Sequence, residues 1–424
     1  MSTRSRQHHT RSKAGCLTCR KRRVRCDGAK PFWFASVAQH PDALRDTLLI
    51  AGLHFAWTVG DLDTYQATLL FHKVMTIRIL NGWLQNIQQP GLMTFIRHVS
   101  ILSFVEGGHG NLAAAETHLD GLANAVDLLS PLGDDFQLRQ GVEEELANRY
   151  LILFKARVLS STSLRHMFRR DKTAEFSDFV SLIHHWQTQK IGDLEMRLNA
   201  MKLMPFFFAV LPPNFRFHDI DAYPMIECLK NLTISMQVGS GEQKKCDPSW
   251  EWIEGSESRL LFATVKSHLT SLRNADDADS RFHPSCLNTS WSSICVACGL
   301  YLYGVLDVWP AGQPMELRMF RRFLSILMKD LNQNVDDVKS AMFSDLWFWK
   351  AFLGACSLAK RQADAYDEVL EGFERAFDGF ILKWSRINSV VSWEDAHLRL
   401  LGLTWPLSKA QDFAEGVWKR ALGT

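Results

Sequence analysis

Three cysteines near the amino end of the chain have the spacing of metal ligands. Cys16, Cys19 and Cys26 follow the pattern C-x2-C-x6-C in the stretch CLTCRKRRVRC. A C-x2-C pair can bring two thiolates to one ion from a tight turn, and six further residues, somewhat under two helical turns, return a third thiolate to it. The spacing therefore predicts a structural zinc site.

The residues around the third cysteine are strongly basic. Arginine guanidinium groups pair with phosphate oxygens and can also fork onto the acceptor edge of guanine. A basic helix beside a zinc site therefore suits the major groove of DNA. The predicted DNA-contacting residues are Arg20, Lys21, Arg22, Arg23, Arg25 and Lys30.

The positive charge of the chain is concentrated at this end. Of 48 basic and 46 acidic residues, ten and one lie in residues 1–30, a net charge of +9. This leaves 38 basic and 45 acidic residues, a net charge of −7, for the remaining 394 residues. A short basic arm on an acidic globular body predicts a polyanion partner for the arm.

Several protein classes fit this sequence poorly. The other six cysteines are scattered from Cys228 to Cys356, unlike a disulfide framework in a short secreted chain. We expect no secretory signal, because the first large apolar residue after Met1 is Leu17. The longest apolar run, Ile294 to Leu306, has 13 residues, whereas a membrane span needs about 20. These features predict a protein of a reducing compartment that does not enter a membrane.

From Asp42 onward the apolar residues recur at three- and four-residue intervals, which predicts an all-α body. Convincing strand alternation is absent. Leu211 to Pro224 holds three prolines and is predicted to be a connection, and Gly239 to Asp247 and Asn274 to Ser293 to be surface loops. The predicted helices are Asp42 to Val59, Asp61 to Gln89, Leu92 to Val105, Asn111 to Leu129, Glu143 to Ser160, Phe176 to Leu203, Glu257 to Leu272, Glu316 to Leu331, Val338 to Lys360, Tyr366 to Trp384 and Trp393 to Leu401.

The stretch AGCLTCRKRRVRCDGAKP resembles the first half of the fungal six-cysteine binuclear zinc cluster of transcription factors. In that family bridging thiolates hold two zinc ions, and residues late in the basic helix contact short CGG-type half-sites. The resemblance implies that Cys16, Cys19 and Cys26 are zinc ligands and that Arg22 and Arg23 contact bases. It assigns Arg20 and Arg25 mainly to phosphates and helix packing.

The sequence departs from this family directly after Pro31. The family has a fourth cysteine two residues after the proline and a fifth three residues later, but this chain has Trp33 and Ser36 there, and its next cysteine is Cys228. We therefore expect at most one zinc ion, held by three thiolates and a water or a histidine such as His8, His9 or His40. The coiled coil that usually follows the cluster in this family is missing as well.

The body of the chain resembles the helical regulatory region of the same family. The segments that carry this resemblance are HPDALRDTLLIAGLHFAW, GNLAAAETHLDGLANAV, LWFWKAFLGA and SWEDAHLRLLGLTWP, in that order. The predicted organisation is a basic half-cluster arm over residues 1–31 and an all-helical regulatory domain over residues 32–424, with a subdivision near 239–255.

Other potential sites have simpler interpretations. Cys295 and Cys298 form a second C-x2-C pair, but they lie in an apolar segment and are predicted to be core thiols. His184 and His185 have no acidic residue at ligand spacing and are expected to be packed or solvated. The sequence offers no nucleophile, acid–base pair or cofactor motif, so an enzyme is not expected.

The predicted function is that of a nuclear, sequence-specific DNA-binding regulator of RNA polymerase II transcription. Its predicted partners are DNA, the transcriptional machinery or other regulatory proteins, and a small-molecule effector, with no membrane. The alternative is a truncated helical interaction protein that no longer binds DNA specifically.

Overall fold

The part of the chain that the structure describes is almost entirely helical, which confirms the all-α prediction for this part. The predicted half-cluster arm lies outside it. The computed structural model describes residues 41–60, 63–85, 91–109, 111–129, 141–153, 193–211, 215–238, 256–272, 287–307, 315–340, 343–364, 366–407 and 411–423.

The described residues form fourteen α-helices and one small sheet. Two short 3-10 helices, Val335–Lys339 and Glu368–Leu370, precede α11 and α12. The α-helices are α1 (Pro41–Val59), α2 (Asp63–Gln85), α3 (Leu92–Gly108), α4 (Leu112–Leu129), α5 (142–153), α6 (Asp193–Phe207), α7 (Tyr223–Val238), α8 (Ser256–Ser271), α9 (Trp291–Gly304), α10 (Leu317–Gln333), α11 (Ser344–Asp364), α12 (Glu371–Asn388), α13 (Trp393–Leu403) and α14 (Gln411–Leu422).

Local sequence signals set many of the helix ends. Gly60 adopts φ +77° and ends α1, as its position after the last apolar residue predicts. The Asn111 side chain accepts a hydrogen bond from the backbone N–H of Ala114 at 3.3 Å and caps α4. Ser392 accepts one from the N–H of Asp395 at 3.1 Å and caps α13.

The structure corrects three predictions. Ile220–Asp221 and Asn288–Thr289 form a two-residue antiparallel ladder inside segments predicted to be a connection and a loop. The predicted helix from Val338 to Lys360 is interrupted at Ser340, whose backbone is extended and whose side chain accepts a hydrogen bond from the N–H of Phe343 at 3.3 Å. Helices α7, α9 and α14 were not predicted.

Helix α11 is the centre of the carboxyl-terminal half. It contacts α9, α10, α12, α13 and α14. Its segment LWFWKAFLGA is apolar on every side except for one lysine, which is typical of a helix surrounded by others. The indole of Trp384 stacks on Phe348 with ring centroids 3.8 Å apart, and the indole N–H of Trp349 donates to the carbonyl of Thr404 at 3.0 Å.

Helices α3 and α4 pack along one another in the amino-terminal half, and α6 lies between α1 and α8. The two halves share one hydrophobic core, and polar side chains of α10 add further links between them. Arg322 donates to the side-chain oxygen of Asn148 on α5 at 2.9 Å and to the carboxylate of Asp127 on α4 at 2.6 Å. Arg318 donates to the same carboxylate and to Asn124.

Candidate functional site

The predicted zinc and DNA site lies outside the described residues. Cys16, Cys19 and Cys26, and the basic residues from Arg20 to Lys30, all precede α1. The zinc and DNA assignments therefore stay predictions. The histidine pair at 184 and 185 also lies outside the described ranges. Within those ranges, no group of three or more histidine, cysteine, aspartate or glutamate side chains is arranged to hold a metal ion.

The thiols that the structure describes are packed against apolar side chains. Cys295 and Cys298 on α9 are buried, which confirms their prediction as core residues. The Cys295 thiol lies 3.9 Å from the sulfur of Met225. Burial raises the pKa of both thiols well above its usual value, and the same holds for Cys356 on α11. These thiols are therefore protonated and poorly reactive at neutral pH.

A buried ion pair joins α10 to α11. The ammonium group of Lys350 contacts the carboxylate of Asp330 and donates a hydrogen bond to the hydroxyl of Thr289 at 3.1 Å. The two charged side chains are only 3% and 5% exposed. Lys350 is the single charge within the apolar segment of α11, so its partner is needed to offset the loss of hydration.

The same carboxylate organises the start of α9. One Asp330 oxygen accepts hydrogen bonds from Ser290 at 3.0 Å and Asn334 at 3.1 Å, and the other accepts one from Ser293 at 2.8 Å. Ser290 also caps α9 by accepting from the backbone N–H of Ser293. Both oxygens of Asp330 are thus engaged with protein groups. This network therefore fixes α9, α10 and α11 relative to the strand Asn288–Thr289.

Two further carboxylates lie near this ion pair. Burial raises the pKa of Asp219, and the negative charge of Asp330 raises it further, while Lys350 lowers it. Burial also raises the pKa of Asp337, with the same Lys350 acting in the opposite direction. The positive charge of Lys350 therefore offsets the negative charges of Asp219 and Asp337 as well as that of Asp330.

A second buried network is built around Arg149 on α5. Its Nε donates to the carboxylate of Glu145 at 2.7 Å, and its Nη1 donates to the hydroxyl of Ser271 at 2.7 Å and to Nδ1 of His268 at 3.1 Å. Ser292 on α9 donates to the same Glu145 oxygen at 2.7 Å. The network joins α5, α8 and α9.

Aromatic rings enclose the Arg149 guanidinium. Its central carbon lies 3.7 Å from the centroid of the Phe217 ring and 5.2 Å from that of Trp291. The rings of Phe207 and His268 have centroids 4.1 Å apart. A guanidinium stacked on aromatic faces gains cation–π attraction, which is larger when the group is desolvated.

His268 in this network is neutral. Burial lowers its pKa well below the usual value, and the positive charge of Arg149 lowers it further. Arginine can only donate, so Nδ1 of His268 is the acceptor and the ring proton is on Nε2. This histidine therefore acts as a hydrogen-bond acceptor for Arg149.

A third buried cluster lies in the amino-terminal half. The Nδ1–H of His98 on α3 donates to the carboxylate of Asp46 on α1 at 2.7 Å. The other Asp46 oxygen lies 3.4 Å from Nε of Arg97. The ring of His98 lies against Trp83 of α2, with centroids 5.4 Å apart. The cluster ties α1 and α2 to α3.

The residues of these three networks were not singled out from the sequence. One signal was available, since each network has a charged or imidazole side chain inside an apolar run: Lys350 in LWFWKAFLGA, Arg149 in LANRYLILF and His98 in TFIRHVSIL. Their partners are distant in sequence, however, and no spacing rule pairs them. All three networks join side chains of different helices, so their chemistry is that of interhelical links.

Comparison with known proteins gives no further assignment. No protein family model matches the chain, and no curated protein and no solved structure matches it. The described helices include none that combines the length and the apolar character needed to cross a membrane.

Proposed function

We propose that the chain is a nuclear transcriptional regulator in which a basic, zinc-binding amino-terminal arm contacts DNA and the helical body regulates the output. The helical body acts through the transcriptional machinery, other regulatory proteins or a small-molecule effector. In this proposal the protein is not an enzyme.

The observation that carries the proposal is the coincidence of metal-ligand spacing and basic charge. Cys16, Cys19 and Cys26 have the C-x2-C-x6-C spacing, and five of the six residues between the second and third cysteine are arginine or lysine. Three thiolates fit a single zinc ion with one further ligand. The net charge of +9 over residues 1–30 supports attraction to a polyanion.

The proposed roles of the basic residues differ. Arg22 and Arg23 contact guanine edges in a CGG-type half-site. Arg20, Lys21, Arg25 and Lys30 contact mainly phosphates, which position the arm and carry no sequence information. Zinc would supply folding free energy to an arm that is too short to form a stable helix alone.

Fluorescence anisotropy with the full chain tests this proposal. Duplexes that carry CGG half-sites are compared with scrambled duplexes of equal length at several salt concentrations. We expect tight, CGG-selective binding that is lost with a zinc chelator and in Cys19→Ala. Loss of a good bidentate base contact in Arg22→Ala or Arg23→Ala lowers the selectivity by about 1–3 kcal/mol.

Two variants of the helical body serve as controls. Cys228→Ala removes a half-buried thiol from α7, and Arg375→Ala removes an exposed cation from α12. If residues 1–31 make the DNA contacts, both variants are expected to bind DNA with the same affinity and selectivity as the natural chain. Salt-sensitive binding with no preference for CGG would show electrostatic attraction alone and would overturn specific recognition.

The missing ligands favour a second candidate, a helical interaction protein that has lost DNA recognition. Trp33 and Ser36 occupy positions where the resembled cluster has cysteines. Native mass spectrometry of the full chain separates the two candidates. One bound zinc ion supports the regulator with a half-cluster, and zero supports the interaction protein. Two zinc ions would contradict the claim that the cluster is incomplete.

A further inference from the structure

One buried hydroxyl in the amino-terminal half has no hydrogen-bond partner among the described residues. Tyr150 on α5 is 0% exposed, and no described backbone or side-chain group forms a hydrogen bond with its hydroxyl. A hydroxyl that is withdrawn from solvent without a partner lowers the stability of the folded state. Buried polar groups in folded proteins are therefore almost always paired, either with protein groups or with ordered water.

Tyr301 on α9 shows the usual arrangement for such a group. This side chain is also 0% exposed. Its hydroxyl lies 2.7 Å from the hydroxyl of Thr233 and 3.2 Å from that of Thr404. The two tyrosines are therefore equally buried, and they differ in that the hydroxyl of Tyr301 is bonded to protein groups.

Aromatic packing holds the Tyr150 ring in place. Its centroid lies 5.7 Å from that of Phe207 and 5.1 Å from that of Phe208. These two phenylalanines are themselves buried, and their ring centroids are 5.5 Å apart. A ring enclosed in a close-packed core cannot swing its hydroxyl to the protein surface. A partner for the Tyr150 hydroxyl must therefore lie inside the core.

Two further buried polar atoms belong to the side chains of Asp46 and Arg97. Oδ2 of Asp46 lies 3.4 Å from Nε of Arg97, and this contact does not have the geometry of a hydrogen bond. Neither atom forms a hydrogen bond with any other described residue. The two side chains are only 4% and 10% exposed. Their opposite charges attract one another, but one acceptor and one donor stay open to a further group.

The carboxylate of Asp46 is fixed from its other side. Its Oδ1 accepts a hydrogen bond from the Nδ1–H of His98 at 2.7 Å. His98 is 1% exposed, and its ring lies against that of Trp83 with centroids 5.4 Å apart. Oδ2 of Asp46 therefore cannot turn towards another donor unless the hydrogen bond to His98 breaks.

The charges of Asp46 and Arg97 act on the hydroxyl of Tyr150. Burial raises the pKa of Tyr150, the positive charge of Arg97 lowers it, and the negative charge of Asp46 raises it. Nearby charges shift a pKa in this way, so both side chains are neighbours of the hydroxyl. Asp46, Arg97 and Tyr150 therefore bring three polar atoms without a hydrogen-bond partner among the described residues into one region of the core.

We propose that an internal water molecule bridges the hydroxyl of Tyr150 to the side chains of Asp46 and Arg97. One water molecule can donate to Oδ2 of Asp46, accept from the Nε–H of Arg97 and bond to the Tyr150 hydroxyl. Three partners are the typical number for a buried water. The opposite charges of Asp46 and Arg97 cancel, so the site favours an uncharged ligand over an ion. The bound water joins α1, α3 and α5.

Thermal unfolding of the full chain tests the proposal. The melting temperature of Tyr150→Phe is expected to fall about as far as that of Tyr301→Phe, because each variant loses a bonded hydroxyl. An unchanged or raised melting temperature in Tyr150→Phe would show that this hydroxyl is unbonded and would overturn the proposal. A shared water also couples Tyr150→Phe to Asp46→Asn, so the double variant loses less than the sum of the two single losses. Additive losses would contradict the bridge.

Tyr150→Phe combined with Asp345→Asn is the matched control. Asp345 on α11 pairs with Arg399, so the effects of these two substitutions are expected to add. A crystal structure of the natural chain gives a test that does not depend on the folding of a variant. We expect one ordered water within hydrogen-bond distance of the Tyr150 hydroxyl, of Asp46 and of Arg97. A direct hydrogen bond between Tyr150 and either side chain, or a hydroxyl with no water beside it, would overturn the proposal.

Discussion

The Nη1–H of Arg149 donates to Nδ1 of His268 at 3.1 Å, and neither side chain is more than 1% exposed. A guanidinium beside an imidazole favours the neutral form of the ring. This contact links the stability of the helical body to pH, because protonation of His268 would place two positive charges side by side without water.

The free energy of unfolding is expected to fall as the pH drops from about 7.5 to about 5.5. The folded pKa of His268 lies well below the usual value of 6.5, so the unfolded chain binds more protons below that pH. Burial also lowers the pKa of His54, His72 and His118, with the same sign. The raised pKa values of Asp219, Asp337 and Asp345 have the opposite sign, because protonation of these carboxylates as the pH falls favours the folded state.

Urea unfolding at several pH values measures this effect. In His268→Gln the slope of stability against pH decreases by up to about 1.4 kcal/mol per pH unit, the contribution of one proton. The glutamine oxygen can still accept from Arg149. An unchanged slope in this variant would show that His268 does not contribute to the pH dependence.

Asp330→Asn is expected to destabilise the protein by about 3–5 kcal/mol, because it leaves the buried ammonium of Lys350 without a countercharge. Chemical denaturation of the full chain measures this loss. Asp345→Asn is the matched control. Asp345 contacts the exposed Arg399 at 3.6 Å, and an exposed ion pair contributes at most about 1 kcal/mol. Equal losses in the two variants would contradict the assigned role of Lys350.

Two glycine-to-alanine substitutions are expected to have opposite effects. A Cβ at Gly354 on α11 would lie 2.2 Å from the Phe377 ring, so Gly354→Ala overpacks the core and costs about 1–3 kcal/mol. A Cβ at Gly379 on α12 meets nothing within 4 Å. Gly379→Ala therefore stabilises the protein by about 0.5–1 kcal/mol through helix propensity. Thermal unfolding distinguishes the two signs. If Gly354→Ala stabilised the protein, the distance between α11 and α12 in solution would be larger than in the structure.

Removal of zinc is expected to change DNA binding without changing the thermal stability of the helical body. The predicted ligands Cys16, Cys19 and Cys26 all precede α1, and the core of the described helices contains none of them. Calorimetry with and without a chelator measures the melting temperature, which we expect to stay the same. The anisotropy measurement under the same two conditions measures DNA binding, which we expect to be lost. A large fall in the melting temperature would show that the metal also stabilises the helices.

The helical character of the body follows from the sequence because period and capping signals are local. Asn111 and Ser392 act as caps, and Gly60 ends α1, each within one turn of the predicted position. Helix α9 was missed because WSSICVACGLYLYG is apolar on all sides, so it shows no helical period. The sheet was missed because each of its strands has two residues, too few for alternation to appear.

The links between helices could not be predicted in the same way. Lys350 and Asp330 are twenty residues apart, and Arg149 and His268 are 119 residues apart. A lysine inside an apolar run predicts that some buried partner exists, but only the packing of α10 against α11 selects Asp330. The predicted zinc and DNA residues lie outside the described part of the chain, so their assignment rests on spacing, charge and resemblance.

The position of Lys350 also couples three helices energetically. Burial of an unpaired ammonium costs several kcal/mol, so the docking of α11 depends on the carboxylate of Asp330 on α10. Asp330 in turn accepts hydrogen bonds from Ser290 and Ser293 at the start of α9. A change at any one of these contacts therefore weakens the packing of all three helices, which makes α9, α10 and α11 one cooperative unit of the folded state.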